Sequence, residues 1–148
     1  TGWYTLSLHD ALPILSGEKV VSDMFKRPEK MTPEHISISD EADLIVIAPA
    51  TADVIGKIAS GICDDILTCT VAACSCPVLI APAMNTRMFL NPIIQDKIEY
   101  LRSKGYFFAD PVEGRLACGR SGLGHLAPVE NIAEIAEKLL QKKQKKEK

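Results

Sequence analysis

The sequence predicts an α/β fold built on a doubly wound parallel sheet. Two short apolar runs, residues 43–48 and 77–81, have the composition of buried parallel strands, and each is followed by a proline. A third, shorter run covers residues 106–109. Segments with the helical spacing of apolar residues separate and follow these runs, and such alternation of strands and helices is typical of a parallel sheet.

The helices are predicted from periodicity and from their end signals. They cover residues 51–60, 64–73, 92–104 and about 131–142, and the first and third end at Gly61 and Gly105. His35 lies just before a helix-like segment that leads into the first strand. Residues 110–128 contain four glycines and are predicted to be a flexible loop rather than part of the core.

Composition excludes several functional classes. At 148 residues with 47% hydrophobic residues, the chain can bury one core, and a net charge of −2 does not indicate a nucleic-acid partner. No apolar run approaches the roughly 18 residues of a membrane span. The odd count of five cysteines, without a secretory signal, favours reduced thiols and a cytoplasmic location. Cys74 and Cys76 have no second ligand pair at zinc spacing, so no metal site is expected.

The domain organisation is predicted in three parts. Residues 1–14 lack a helical or strand period and look like an artefactual, translated adapter segment, residues 15–140 form the domain, and residues 141–148 form a lysine-rich tail or linker. A doubly wound fold normally opens with a strand, a glycine-bearing phosphate loop and a helix. These are expected to be missing at the front of this chain.

The segment from Pro82 to Met88 is the strongest candidate for a functional site. It follows a predicted buried strand, and the carboxyl ends of such strands face the ligand crevice of an open α/β sheet. The amide of Asn85 can both donate to and accept from a small molecule, and the small Ala83 allows close approach. The same pattern also fits an Asx-type turn with a helix cap and no ligand.

Three other residues could take part in chemistry. His35 can act as a general base near neutral pH, or it can be an exposed loop residue. Thr51 can cap a helix, or present its hydroxyl to a phosphate or a flavin ring. Cys118 lies in a glycine-rich segment beside Arg120, where it can reach over a ligand as part of a lid or be a surface cysteine without a function.

Together these motifs resemble the homo-oligomeric flavin-containing cysteine decarboxylases. The similarity extends from about Leu15 to Leu140 and rests on four motifs: His35-Ile36, Ala48-Pro49-Ala50-Thr51-Ala52, Pro82-Ala83-Met84-Asn85-Thr86-Arg87-Met88 and Ala117-Cys118-Gly119. The resemblance implies a Rossmann-like or flavodoxin-like three-layer fold that binds FMN. It further implies decarboxylation of 4'-phosphopantothenoylcysteine to 4'-phosphopantetheine in coenzyme A biosynthesis.

The resemblance also implies residue roles. His35 serves as the base when the flavin oxidises the substrate thiol, Asn85 holds the substrate carboxylate, and Cys118 supplies a proton in the final reduction. Met88 completes the substrate motif. The positions that match the family's flavin-lining residues are Thr51, Ala52, Asp53, Val54 and Ala83. His125 stands where an arginine is common in relatives, which weakens the expectation of phosphate recognition there.

The family implies assembly as well as chemistry. Its members bind FMN between the subunits of a homotrimer, bifunctional forms build dodecamers from trimers, and many continue into a CTP-dependent ligase domain that makes the substrate. Alternatives are a peptidyl-cysteine decarboxylase, a flavin prenyltransferase, or a non-catalytic regulatory subunit of the same fold. Cys118, as the implied proton donor of the final reduction, argues against the first two alternatives, and the presence of His35, Asn85 and Cys118 together argues against the third.

Overall fold

A computed structural model of the chain describes residues 33–115 and 121–146. The helices in these ranges are α1 Glu34–Glu41, α2 Ala52–Ser60, α3 Ile66–Ala73, α4 Thr86–Phe89, α5 Pro92–Ser103 and α6 Val129–Lys146. The strands are β1 Ile45–Ala50, β2 Val78–Pro82, β3 Phe107–Phe108, β4 Val112–Arg115 and β5 Ser121–His125. The predicted artefactual segment, the predicted loss of the opening strand and Cys118 all lie outside the described residues.

The predicted parallel sheet is confirmed. Strands β1, β2 and β3 lie side by side in that order and pair in parallel. Strand β1 continues two residues past its predicted end, with a register irregularity between Ile47 and Ala50. Pro49 lies in this interval and has no backbone N–H to donate to the ladder, so an irregularity there is expected. Ala50 still pairs with Pro82 at the end of the sheet.

Side chains alternate between two apolar cores on opposite faces of the sheet. On one face, strand residues such as Ile47 and Ile80 pack with Ile55 of α2, Val71 of α3 and Leu101 of α5. On the other face, the buried residues come from β2, from the residue after β3, from the segment before α6 and from α6 itself: Leu79, Ala81, Ala109, Ala127, Ile132, Ala136 and Leu139. The sheet therefore lies between two helical layers, which confirms the three-layer α/β fold class.

The helix ends follow the sequence signals closely. Thr51 is the N-cap of α2, and Gly61 ends that helix with a φ of 68°. Helix α3 begins two residues later than predicted, because Asp65 is its N-cap and forms a capping box with Thr68 in the first turn. Helix α6 is longer than predicted and extends into the lysine-rich segment. No helix in the described ranges is long and apolar enough to cross a membrane.

The prediction of a flexible loop over residues 110–128 is wrong for the described part of that segment, which contains two strands. Strands β4 and β5 within this segment form an antiparallel hairpin, in which Gly114 pairs with Gly122. A Cβ added to Gly114 would come within 2.9 Å of the His125 ring. The lack of a Cβ at Gly114 therefore permits the two strands of the hairpin to pack closely at this point.

Candidate functional site

The carboxyl ends of β1 and β2 meet at one edge of the sheet. Ala50 ends β1 and Pro82 ends β2, and the backbone N–H of Ala83 donates to the Ala50 carbonyl at 2.9 Å. The two loops that follow, beginning at Thr51 and Ala83, therefore start side by side. This is the edge at which open α/β sheets bind ligands.

Helix α2 points its amino end to this edge. The Thr51 hydroxyl oxygen accepts a hydrogen bond from the Val54 N–H at 3.3 Å, so Thr51 caps the helix. Ala52 is buried and Asp53 is exposed. The Asp53 carboxylate lies 3.5 Å from the Lys57 ammonium. The predicted flavin-lining residues of this helix are thus clustered in its first turn.

Lys57 also pairs with two further carboxylates beside that turn. Its ammonium is 3.0 Å from Asp64 and 3.5 Å from Asp65. The hydrogen bond with Asp64 is the main cause of a raised Lys57 pKa, with Asp53 adding to the effect. One ammonium thus faces three carboxylates, so the charge beside the first turn of α2 remains negative.

Asn85 caps the short helix α4. Its Oδ1 accepts from the Arg87 N–H at 2.9 Å, and the residue is exposed at the edge of the sheet. The helix-cap interpretation of the sequence is therefore correct. It is compatible with a ligand role, because a carboxamide also has an NH2 donor group and a second acceptor lone pair.

The hairpin is fastened to the loop that carries Asn85. The Met84 N–H donates to the Gly124 carbonyl at 3.0 Å. Gly124 has a φ of 128°, and a Cβ at this position would collide with the Met84 carbonyl oxygen. A Cβ at Gly122 would collide with the Thr86 hydroxyl. Strand β5 therefore lies directly on the loop after β2.

The remaining predicted residues occupy different places. Ala83 is half-buried beside the end of β1, and Met88 is exposed on α4. Cys118 lies outside the described residues, between Arg115 and Ser121, which pair at the ends of β4 and β5. His35 is half-buried on α1 rather than before a helix, and α1 packs against α3.

The structure thus brings together Thr51, Ala83, Asn85 and the hairpin, whereas His35 lies on a separate helix. Sequence reasoning did not identify Gly122, Gly124 and Thr86 as part of this junction. The alternation of two glycines in a segment of strand length was the available signal for close backbone approach. No cluster of three or more His, Cys, Asp or Glu that could hold a metal occurs among the described residues.

The amino-acid sequence is similar to known proteins over most of its length. The model of the Flavoprotein family matches residues 4–141. The chain is 50% identical over 124 residues to the coenzyme A biosynthesis bifunctional protein CoaBC of Bacillus subtilis, which covers 84% of this chain. This chain spans 30% of the length of that relative.

Two solved structures extend the similarity to the fold. A mutant PPC decarboxylase complexed with pantothenoylaminoethenethiol has a TM-score of 0.76 at 35% identity, covering 80% of this chain and 68% of that one. The FMN-dependent cysteine decarboxylase SpaF has a TM-score of 0.72 at 33% identity, covering 88% and 69%.

Proposed function

This chain belongs to the Flavoprotein family, and we propose that it catalyses the FMN-dependent decarboxylation of 4'-phosphopantothenoylcysteine to 4'-phosphopantetheine, as the decarboxylase part of a coenzyme A biosynthesis protein. The observation that carries the proposal is the junction at the loop after β2. Ala83 is bonded to the end of β1, Met84 is bonded to β5, and Asn85 caps α4. One loop thereby holds a carboxamide rigidly at the ligand edge of the sheet.

The residues at this edge fit the ring system of FMN better than they fit its phosphate group. Thr51 supplies a hydroxyl, and the first-turn N–H groups of α2 point to the same edge. The exposed Asp53 carboxylate would repel a phosphate dianion but not a neutral ring. Ala52 and Ala83 add little bulk to the space between the two loops. We infer that Thr51, Ala52, Asp53, Val54 and Ala83 contact the ring system of FMN.

FMN, when bound, supplies a two-electron acceptor for the substrate's cysteine moiety and later returns those electrons. Within that cycle we assign Asn85 to the substrate carboxylate. A neutral amide orients the carboxylate by hydrogen bonds without an ionic clamp, and such a clamp would oppose its loss as carbon dioxide. The cap bond to Arg87 fixes the direction in which the amide points.

Two proton transfers complete the assignment. We propose that His35 removes a proton from the substrate when the substrate's cysteine thiol is oxidised. We also propose that Cys118 donates a proton when the enethiol product of decarboxylation is reduced. Helix α1 leads into the amino end of β1, so we infer that it runs back along the sheet and directs its first turn, with His35, towards the ligand edge.

The first experiment is a visible absorbance titration of the purified chain with FMN, followed by an assay of carbon dioxide release from 4'-phosphopantothenoylcysteine. A shifted flavin band together with turnover supports the proposal. Flavin binding with no turnover of this substrate, but with turnover of a peptide ending in cysteine, would reassign the chain to peptide decarboxylation. Absence of flavin binding would show that this chain alone does not form the site.

A second experiment separates decarboxylation from reduction. Cys118→Ser should still release carbon dioxide but accumulate the oxidised enethiol, whereas Asn85→Ala should abolish release. Normal 4'-phosphopantetheine formation by Cys118→Ser would contradict the role of Cys118 as the proton donor.

We also propose a homotrimer in a bifunctional cytoplasmic protein that carries a CTP-dependent ligase. Native mass spectrometry with and without FMN tests the trimer.

A further inference from the structure

Helix α5 and the segment before it carry apolar side chains that the fold leaves uncovered. Among the described residues, four of the seven large apolar side chains that are exposed come from α4, from α5 or from the link between them: Met88, Leu90, Ile93 and Tyr100. Ile93 is 67% exposed and Tyr100 is 48% exposed. Single apolar side chains are common on protein surfaces, whereas a concentration of them is typical of an interaction site.

The exposed side chains of α5 are distinct from those that pack into the core. Ile98 and Leu101 of this helix are buried in the core on one face of the sheet. Four other residues of α5 line an open groove beside Ala59 of α2: Ile93, Asp96, Lys97 and Tyr100. Residues three or four apart on a helix are neighbours on its surface, so these four form one continuous strip. We call this strip the α5 stripe.

The α5 stripe contains one acidic and one basic residue in adjacent positions. Asp96 is exposed and Lys97 is half-buried. Neither has an ion-pair partner in the part of the chain that the structure describes. Adjacent residues on a helix do not face each other, so the two charges are poorly placed to pair within one chain. Both charges are therefore available to a partner.

The order of the four residues makes the α5 stripe complementary to itself. Two α5 helices can lie antiparallel about a twofold axis that passes between Asp96 and Lys97. Ile93 of one copy then faces Tyr100 of the other, because both lie equally far along the helix from the axis. Asp96 of each copy likewise faces Lys97 of the other. Opposite charges thus meet at the axis, and apolar side chains meet on either side of it.

The ends of the stripe fit such a contact. The Lys104 ammonium lies 5.3 Å from the centre of the Tyr100 ring, and this cation–π contact orders the ring at the surface. At the other end, Leu90 is the C-cap of α4 and is 57% exposed. Leu90 therefore adds apolar area next to Ile93, which is three residues further along the chain.

We propose that the α5 stripe binds the α5 stripe of a second copy of this chain in an antiparallel, twofold contact. This inference goes beyond the proposed activity, because the contact uses neither FMN nor the residues of the candidate site. It is also separate from the contact of a homotrimer. A twofold contact uses the same patch on both copies, whereas a closed ring of three uses two different patches. Where both contacts form, the twofold contact joins trimers to one another.

The test is the mass of the assembly formed by the full chain with FMN, measured by sedimentation velocity and native mass spectrometry over a range of protein concentrations. We expect the wild-type chain to form an assembly with an even number of subunits. Asp96→Lys places lysines against lysines at the axis, and Lys97→Asp places aspartates against aspartates. Each change occurs twice in the contact, so the dissociation constant should rise roughly tenfold or more in either variant.

A mixture of the two charge variants makes the test specific for this contact. When Asp96→Lys and Lys97→Asp are combined in equal amounts, every lysine at the axis can again face an aspartate. The mixture should therefore form even-numbered assemblies that contain both variants, although neither variant forms them alone. A loss of assembly caused by misfolding would not be reversed in this way.

Glu99→Lys is the matched control. It reverses a charge on the same helix, but Glu99 lies outside the α5 stripe and is paired with Arg102 at 3.4 Å. Its assembly should match that of the wild-type chain, whereas Ile93→Asp should dissociate. Circular dichroism checks that each variant is folded. A wild-type chain with no even-numbered assembly, unchanged assembly in Asp96→Lys, or a mixture that fails to reassemble would each overturn the proposal.

Discussion

Met84 donates its backbone N–H to the Gly124 carbonyl at 3.0 Å, and this bond joins the β4–β5 hairpin to the loop that carries Asn85. The bond has no side-chain component, so its geometry depends on how closely the two backbones approach. Gly124 allows this approach through its lack of a Cβ and its φ of 128°. The position of Asn85 and the position of the hairpin are therefore coupled.

Gly124→Ala tests this coupling. The added methyl group would collide with the Met84 carbonyl oxygen, and alanine is strained at this φ. We expect a loss of about 1 kcal/mol or more in the free energy of unfolding, measured by urea denaturation. We also expect decarboxylation to fall, because the loop that carries Asn85 would lose its support on the hairpin side.

Gly56→Ala is the matched control for that substitution. Gly56 lies inside α2, and a Cβ there would meet no atom within 4 Å. Alanine is the better helix former, so this variant should gain up to about 1 kcal/mol in stability while turnover is maintained. If Gly124→Ala were as stable and active as Gly56→Ala, the hairpin would not support the loop.

The cap and ligand roles of Asn85 can be separated with Asn85→Asp. Aspartate keeps the oxygen that accepts from Arg87 and is an equally good N-cap, so the unfolding free energy should change little. The variant loses the NH2 donor and places a negative charge beside the substrate carboxylate. We therefore expect decarboxylation to be abolished in a protein that still folds, as measured by carbon dioxide release and circular dichroism.

Asn91→Asp is a close control for Asn85→Asp. Asn91 caps α5 with the same geometry, its Oδ1 accepting from the Ile93 N–H at 2.9 Å. It lies six residues further along the same segment. Turnover by Asn91→Asp should match wild type. Equal losses in both variants would mean that Asn85 acts only through its cap.

Three substitutions at Thr51 distinguish capping from flavin contact. Thr51→Ala should cost about 1 kcal/mol of stability, because the Val54 N–H loses its acceptor. Thr51→Ser should keep both stability and FMN affinity. Thr51→Asp should keep the cap but weaken FMN binding, because it replaces a hydroxyl donor with a second carboxylate beside Asp53. Unchanged FMN affinity in Thr51→Asp would show that Thr51 acts only as the N-cap of α2.

The parallel sheet could be predicted because its signals are local. The run that includes Ile45 and the run that includes Leu79 are continuously apolar, and the structure buries them between two helical layers. Thr51 and Gly61 likewise mark the ends of α2 by their own chemistry. Such features need no knowledge of distant residues.

The hairpin could not be predicted in the same way. Its strands contain Gly114, Gly122 and Gly124, which have low strand propensity and favour a loop assignment. These glycines pack closely on His125, Thr86 and Met84. Of these three residues, Thr86 and Met84 lie far from the hairpin in sequence. The position of the hairpin beside Asn85 could not be predicted from the sequence either, because it depends on a tertiary contact.

The contact between Lys143 and Asp43 leads to a prediction about pH. The bond joins α6 to the segment before β1 at 2.8 Å. It lowers the pKa of Asp43 below its ordinary value of 3.8, mainly through the hydrogen bond from Lys143. The folded-state pKa is therefore below the unfolded one. The contribution to stability is complete above the unfolded pKa and is lost as pH falls through the folded pKa.

Lys143→Met should therefore lower the urea midpoint at pH 7, and the difference from wild type should shrink as the pH is taken below 3.8. Lys138→Met is the control, because Lys138 on the same helix pairs with the exposed Glu134, four residues away. Such an exposed pair within one helix contributes little to stability and joins no separate elements. A deficit of Lys143→Met that stayed constant down to strongly acidic pH would show that the lysine stem, rather than its charge, holds α6 against the sheet.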